Sequence, residues 1–215
     1  MAVAATLAAC RSGLHCFTSA ESFRRADLKD QAILLLPVAV TDELGDDRTG
    51  IVLDRSSRHR AAKLACDAGP KIREDVRIVC FDDPSIAASP ALRDVYTQFA
   101  RDVPISLERL HEIARSSGAS FALLFRPEDV HASTRVTRFP DWRPFEPAPS
   151  AHNPRASITT TRTFTLLGQL VDLRSGQVVR AAMRSSTGST DTPEPPVAST
   201  HLHGIMRDLM SDMLD

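Results

Sequence analysis

The chain has 215 residues, 42% of them hydrophobic and 25% charged, with 26 Lys+Arg against 27 Asp+Glu for a formal charge of -1. At roughly 100–200 residues per domain this length gives one compact domain with appendages, and the balanced charge offers no one-signed field to draw the chain onto nucleic-acid phosphates or an anionic membrane surface. Collagenous, coiled-coil and wholly disordered classes are excluded by composition, and no run approaches the ~20 consecutive apolar residues of a membrane-spanning helix.

The segment Met1 to Ala9 is apolar or small and ends Leu7-Ala8-Ala9 before Cys10, followed by the polar Arg11-Ser12-Gly13. Small residues leave the backbone open to a signal peptidase, and a cysteine at the new amino terminus offers a thiol for a lipid. Leu-Ala-Ala-Cys resembles the lipobox of bacterial lipoproteins. That resemblance implies residues 1–9 as the remnant of a signal peptide, acyl chains such as palmitate on Cys10, and an anchor made effectively permanent by ~0.8 kcal/mol per buried methylene. Arg11 in place of an Asp after the Cys implies sorting to the outer membrane, periplasmic face. The other reading is an ordinary small Cys at a frayed helix end.

Residues 10–29, polar and carrying Arg24-Arg25, are expected to be a tether. Order is expected from Asp30, with 30–215 as a single α/β domain. The run Ala32 to Val40 is apolar throughout and too short for most helices, so it predicts a strand buried on both faces. A helical stretch around Arg58 to Ala68 and a second strand at Arg77 to Phe81 follow. Pro90 suits a first helical position. Leu92, Val95, Tyr96 and Phe99 then recur at helical spacing, and a further helix is expected from Ser106 as N-cap to Gly118 as left-handed C-cap. Ala119 to Phe125 reads as a third buried strand, completing half of a βαβ unit.

The stretch 126–156, with six prolines and the one Trp of the chain, is expected to be an irregular loop. Thr163 to Asp172, the turn Leu173-Arg174-Ser175-Gly176 and Gln177 to Met183 predict an antiparallel hairpin. A linker from Gly188 to Pro196 precedes a closing helix with Leu202, Ile205, Leu209 and Met213 on one face. The expected class is α/β with a mixed sheet, helices packed on it, and a C-terminal antiparallel hairpin plus closing helix. This order of pieces, together with Val171-Asp172-Leu173-Arg174-Ser175-Gly176-Gln177-Val178-Val179, resembles the periplasmic, anticodon-binding-like domain shared by the amino-terminal region of the TolB protein and the curli-secretion lipoprotein. The resemblance implies a non-enzymatic envelope protein whose partners are other envelope proteins, or a secretion-channel component. Neither Thr41 to Val76 nor the proline-rich stretch reads as sustained alternation of about ten residues, so transmembrane pore hairpins are not expected.

Four sets of residues bear on chemistry. Cys66 and Cys80 either form a disulfide worth about 3 kcal/mol in unfolded-chain entropy or leave Cys80 as a core thiol. His201, His203 and His111 are the residues a hydrolase or metal site would use: on a strand His201 and His203 would share one side with Asp208 nearby, at the start of a helix they would point apart, and His111-Glu112 lacks the second His of a zincin motif. The Asp42, Glu43, Asp46, Asp47 cluster lacks regular cation-ligand spacing. No P-loop, nucleophile elbow or dinucleotide fingerprint occurs, so no cofactor is expected. The sharpest site is Arg138-Phe139-Pro140-Asp141-Trp142-Arg143-Pro144-Phe145. Arg138, Phe139, Trp142, Arg143 and Phe145 combine residue types that dominate binding hot spots, and the prolines lower the cost of ordering on docking. The alternative is that these rings fold back over the sheet.

Overall fold

The computed structural model describes residues 15–40, 55–82, 89–138, 156–190 and 199–215. It shows the expected class. Six strands form one mixed sheet: β1 (His15–Ser19), β2 (Ala32–Leu35), β3 (Arg77–Cys80), β4 (Phe121–Arg138), β5 (Ala156–Asp172) and β6 (Val178–Thr190), in the order β1-β6-β5-β4-β2-β3. Four α-helices accompany them: α1 (Arg55–Ile72), α2 (Pro90–Ala100), α3 (Leu107–Ser117) and α4 (Ser199–Leu214).

The apolar run at β2 explains the centre of the sheet. Parallel pairing to β3 on one side and β4 on the other leaves Ile33, Leu34 and Leu35 no solvent on either face, and each is 0% exposed. Parallel strands require crossovers, supplied by α1 between β2 and β3 and by α2 with α3 between β3 and β4. Those crossovers step in opposite directions and so cover opposite faces. Alternation along the strands records this: Phe125 and Gly168 lie against Met213 of α4, whereas the next residue, Arg126, reaches Phe99 of α2. Gly118 closes α3 with φ 63, a left-handed conformation glycine adopts without a Cβ clash, and its N–H donates to Ala114 O at 2.9 Å.

Three expectations are corrected. The tether expected over 10–29 is folded from His15 onward: β1 pairs antiparallel with β6, and Arg25–Leu28 form a 3-10 turn carrying the buried Leu28. The reason lies far along the chain. Arg180, 8% exposed, has its guanidinium 5.7 Å from the Phe17 ring centroid and 5.3 Å from that of Phe23, so the two aromatics of this polar segment are seats for a buried cation. The irregular stretch 126–156 is also shortened, because β4 continues to Arg138 and β5 starts at Ala156. Pro127, which suggested a break, sits where the register shifts between Pro127 and Asp129, a bulge that tolerates a missing N–H. Beyond it Val130 to Thr137 can alternate like any strand, so a long paired ribbon stands where none was expected. Finally, Gly188-Ser189-Thr190 belong to β6 and not to a linker.

The closing helix is held by arginines at its carboxyl end, where free carbonyls and the helix dipole are negative. Arg73 donates from Nη1 to Leu214 O at 2.6 Å and from Nε to Asp75 at 2.6 Å. Arg180 donates to Met213 O at 2.7 Å. Burial, followed by the repulsion of Arg73 and Arg25, lowers the Arg180 pKa. On the same last turn, Arg184 makes a two-pronged pair with Asp212, both bonds 2.6 Å. Cys66 of α1 and Cys80 of β3 are joined by a disulfide with Cα atoms 6.0 Å apart.

Candidate functional site

The antiparallel strands β4, β5 and β6 have two ends of different character. At the helix-covered end, the β5–β6 turn is built by Asp172, whose Oδ1 accepts from the Arg174 N–H at 2.8 Å and Oδ2 from the Ser175 hydroxyl at 2.8 Å, with Gly176 at φ 71 closing it. An open cleft of about 800 Å³ lies beside this turn, lined by Asp27, His111, Arg115, Phe121, Asp172 and Arg174 among others. Its polar groups already serve the fold. His111 donates its Nε2–H to the Arg174 carbonyl at 2.8 Å, tying α3 to the turn, and Asp27 accepts the Arg24 N–H at 2.6 Å.

At the other end the strands run past the helices as a ribbon. Arg126 marks the boundary: it donates to Phe99 O at 3.1 Å and Asp102 at 2.5 Å, pairs with Glu128 at 2.8 Å, and lies 5.4 Å from the Phe99 ring centroid. Burial acts to lower its pKa, and the carboxylates of Asp102 and Glu128 outweigh that to raise it. Beyond Arg126, register divides the residues by face. Thr159, Thr161, Thr163 and Thr165 of β5 share one face with Arg135 of β4 and with Ser185 and Thr187 of β6. Hydroxyls bond across it, Thr163 to Thr187 at 3.0 Å and Thr165 to Ser185 at 2.7 Å. The other face carries Phe164, buried at 8% exposure.

The last pair of the ribbon is Arg138 with Ala156. Of the aromatic-arginine set, Arg138 therefore ends β4; Phe139, Trp142, Arg143 and Phe145 lie outside the described residues, as do Cys10 and the Asp42 to Asp47 cluster. His201 and His203 fall in α4, two positions apart and so about 200° around its axis, which keeps them off a common face. The His203 Nε2 is buried without a hydrogen-bond partner. No grouping of three or more His, Cys, Asp or Glu suited to a metal occurs among the described residues. No described helix is long and apolar enough to cross a membrane. What sequence reasoning missed is the ribbon and the buried arginines. The Thr-rich alternation of β5 was a signal for the first, and nothing local signals the second.

No family model and no curated protein matches the chain. Among solved structures it is similar to the PelC dodecamer from Paraburkholderia phytofirmans, at 17% identity and a TM-score of 0.44, over 93% of this chain and 96% of that one. It is also similar to lipoprotein GNA1162 from Neisseria meningitidis, at 13% identity and a TM-score of 0.36, over 85% of this chain and 97% of that one. A third similarity is to the LpoB C-terminal domain from Salmonella enterica, at 14% identity and a TM-score of 0.34, over 80% of this chain and 88% of that one.

Proposed function

We propose that the chain is a non-enzymatic, lipid-anchored protein of the periplasmic face of the outer membrane, acting as a protein-interaction module through the far end of its ribbon. The observation that carries this reading is the pairing of β4 with β5 as far as Arg138 and Ala156. At about 3.3 Å per residue, Arg138 lies about 40 Å along the strand from the helix-covered Phe125. Trp142 can be no more than roughly 14 Å from Arg138 at full extension. These lengths support the aromatics as partner anchors rather than as cover for the core around Phe125.

The Leu7-Ala8-Ala9-Cys10 sequence supports the anchor. With β1 starting five residues on, at His15, a lipid on Cys10 would hold the domain within roughly 18 Å of the bilayer surface. A second reading, a secretion-channel or assembly component, draws on the same ribbon, whose alternating faces suit incorporation into a larger β-structure.

Two measurements test the first reading. Cys10→Ser should move the protein from the membrane to the soluble fraction of cells expressing the full frame; unchanged fractionation removes the anchor from the proposal. A photoreactive benzoylphenylalanine at position 142 should give a discrete light-dependent adduct in cells, whereas the same group at the exposed Lys63 of α1 should not. An absence of adduct at 142 in membrane-bound protein counts against the ribbon end as the contact surface.

A further inference from the structure

The register of β1 fixes the side from which the amino-terminal chain enters the sheet. His15 pairs with Arg184, and Arg184 with Leu166, so these three residues share one row across β1, β6 and β5. Because β1 is antiparallel to β6, the chain comes into His15 from the side toward which the ribbon extends. From that row β5 reaches ten residues to Ala156 at the ribbon end, about 33 Å, and six residues to Asp172 at the turn, about 20 Å. Cys10 precedes His15 by five residues, a reach of at most roughly 18 Å. A tether of that length is shorter than the body on one side of the row and much shorter than the ribbon on the other. Charge distinguishes the ribbon end as well. The whole chain has a formal charge of -1, yet the span from Arg135 to Arg162 holds Arg135, Arg138, Arg143, Arg155 and Arg162 against Asp141 and Glu146 alone, a net charge of +3.

We propose that the anchor on Cys10 aims the ribbon end at the bilayer, where its cationic span meets the phosphates of the lipid surface. The inference rests on the lipid anchor of the reading above and adds where the ribbon end works. For the β5–β6 turn to rest on the bilayer instead, the anchor would have to double back past His15 and along about 20 Å of strand, more than its whole reach. On the other side the ribbon outreaches the tether, so its end touches the surface with the strands inclined no more steeply than about 35° to the bilayer plane. That inclination keeps the hydroxyls of Thr163, Thr165, Ser185 and Thr187 out of the hydrocarbon, where polar groups are costly. Arginines within a Debye length of an anionic surface are drawn to it, so charge and tether length act in the same direction. A protein partner engaged through the ribbon end is accordingly one embedded in that membrane.

The test compares how close the two ends of the sheet lie to lipid. Spin labels are placed singly on Thr159→Cys in the ribbon, which leaves the arginines intact, and on Arg174→Cys in the exposed β5–β6 turn. The host is the full-length chain carrying Cys16→Ser, purified from membranes; lipid caps Cys10, and the disulfide occupies Cys66 and Cys80. It is reconstituted into vesicles of phosphatidylethanolamine, phosphatidylglycerol and a nickel-chelating lipid. Relaxation of the label by the lipid-borne nickel should be several-fold stronger at 159 than at 174. Inserting about twenty Gly and Ser residues after Gly13 should shrink that difference, because a flexible tether of that length reaches past the turn. A chain that does not float with the vesicles overturns the anchor and the inference with it. A chain that floats with equal relaxation at the two positions, or with the stronger relaxation at 174, overturns the inference and leaves the anchor standing. A difference untouched by the longer tether overturns the tether as the device that aims the ribbon.

Discussion

β4 and β5 pass through two environments within a single strand length, and the difference between them separates what holds the molecule together from what it offers. Below Arg126 both strands lie between layers: Leu123, Phe125 and Leu170 are fully buried, with α4 on one face and α2 on the other. Above it the same backbone ladder continues while one face changes to Thr159, Thr161, Thr163, Thr165, Ser185 and Thr187. Hydrogen-bond pairing extends a sheet wherever strands alternate, but stability follows the apolar area removed from water. The body is therefore a folding unit, and the ribbon is an extension that the body supports.

The largest way to break this contrast is a cavity. Phe125→Ala should cost about 3–5 kcal/mol in urea unfolding, while Arg135→Ala in the ribbon should stay within about 0.5 kcal/mol. Comparable losses at the two positions would show that the ribbon is part of the cooperative core. Next in size is the covalent link between α1 and β3. Cys66→Ala/Cys80→Ala should lower stability by about 3 kcal/mol, and alkylation of the non-reduced wild type should find both thiols protected. A pH series sharpens the contrast at the rim of the body. The hydrogen bond from Arg73 holds the Asp75 carboxyl below the ordinary aspartate range. Its contribution is therefore present above the unfolded pKa of about 3.9 and is lost as pH falls through the lower folded value. The difference in melting temperature between wild type and Asp75→Asn, open at pH 6, should close as the solution is acidified below about pH 4. The smallest effect is expected at the ribbon end: Trp142→Ala should leave stability within about 0.5 kcal/mol while abolishing adducts formed from neighbouring photoreactive positions.

The body was legible because its signals are local. The unbroken apolar run at Ile33 to Leu36 has one economical solution, a strand covered on both faces, and Ser106 and Gly118 mark the limits of α3 at the positions where N-cap and C-cap residues are favoured. The hairpin turn followed from Leu173-Arg174-Ser175-Gly176 for the same reason. The ribbon was not read because Pro127 and the later prolines outweighed the alternation of Val130 to Thr137, and because a bulge hides a proline's missing donor in a way no spacing rule records. The fold of residues 15–28 depends on Arg180, and a cation of that kind becomes a packing partner for Phe17 and Phe23 only when distant strands meet. Of the candidate contact residues, the aromatics were singled out by composition.

The pairing of β1 with β6 also bears on the order of events as the chain folds. Thr18 and Ala181 are 163 positions apart, and closing a loop of that length costs about 4–5 kcal/mol of chain entropy before any contact rewards it. The first strand made by the ribosome is therefore the last to find its neighbour. Until it does, the strip from Arg180 to Arg184 is a bare edge and Arg180 lacks the rings of Phe17 and Phe23. A refolding experiment that follows the environment of Phe17 should show it lagging the formation of β4 with β5, and aggregation during that interval should be suppressed by a synthetic peptide carrying the sequence of His15–Ser19.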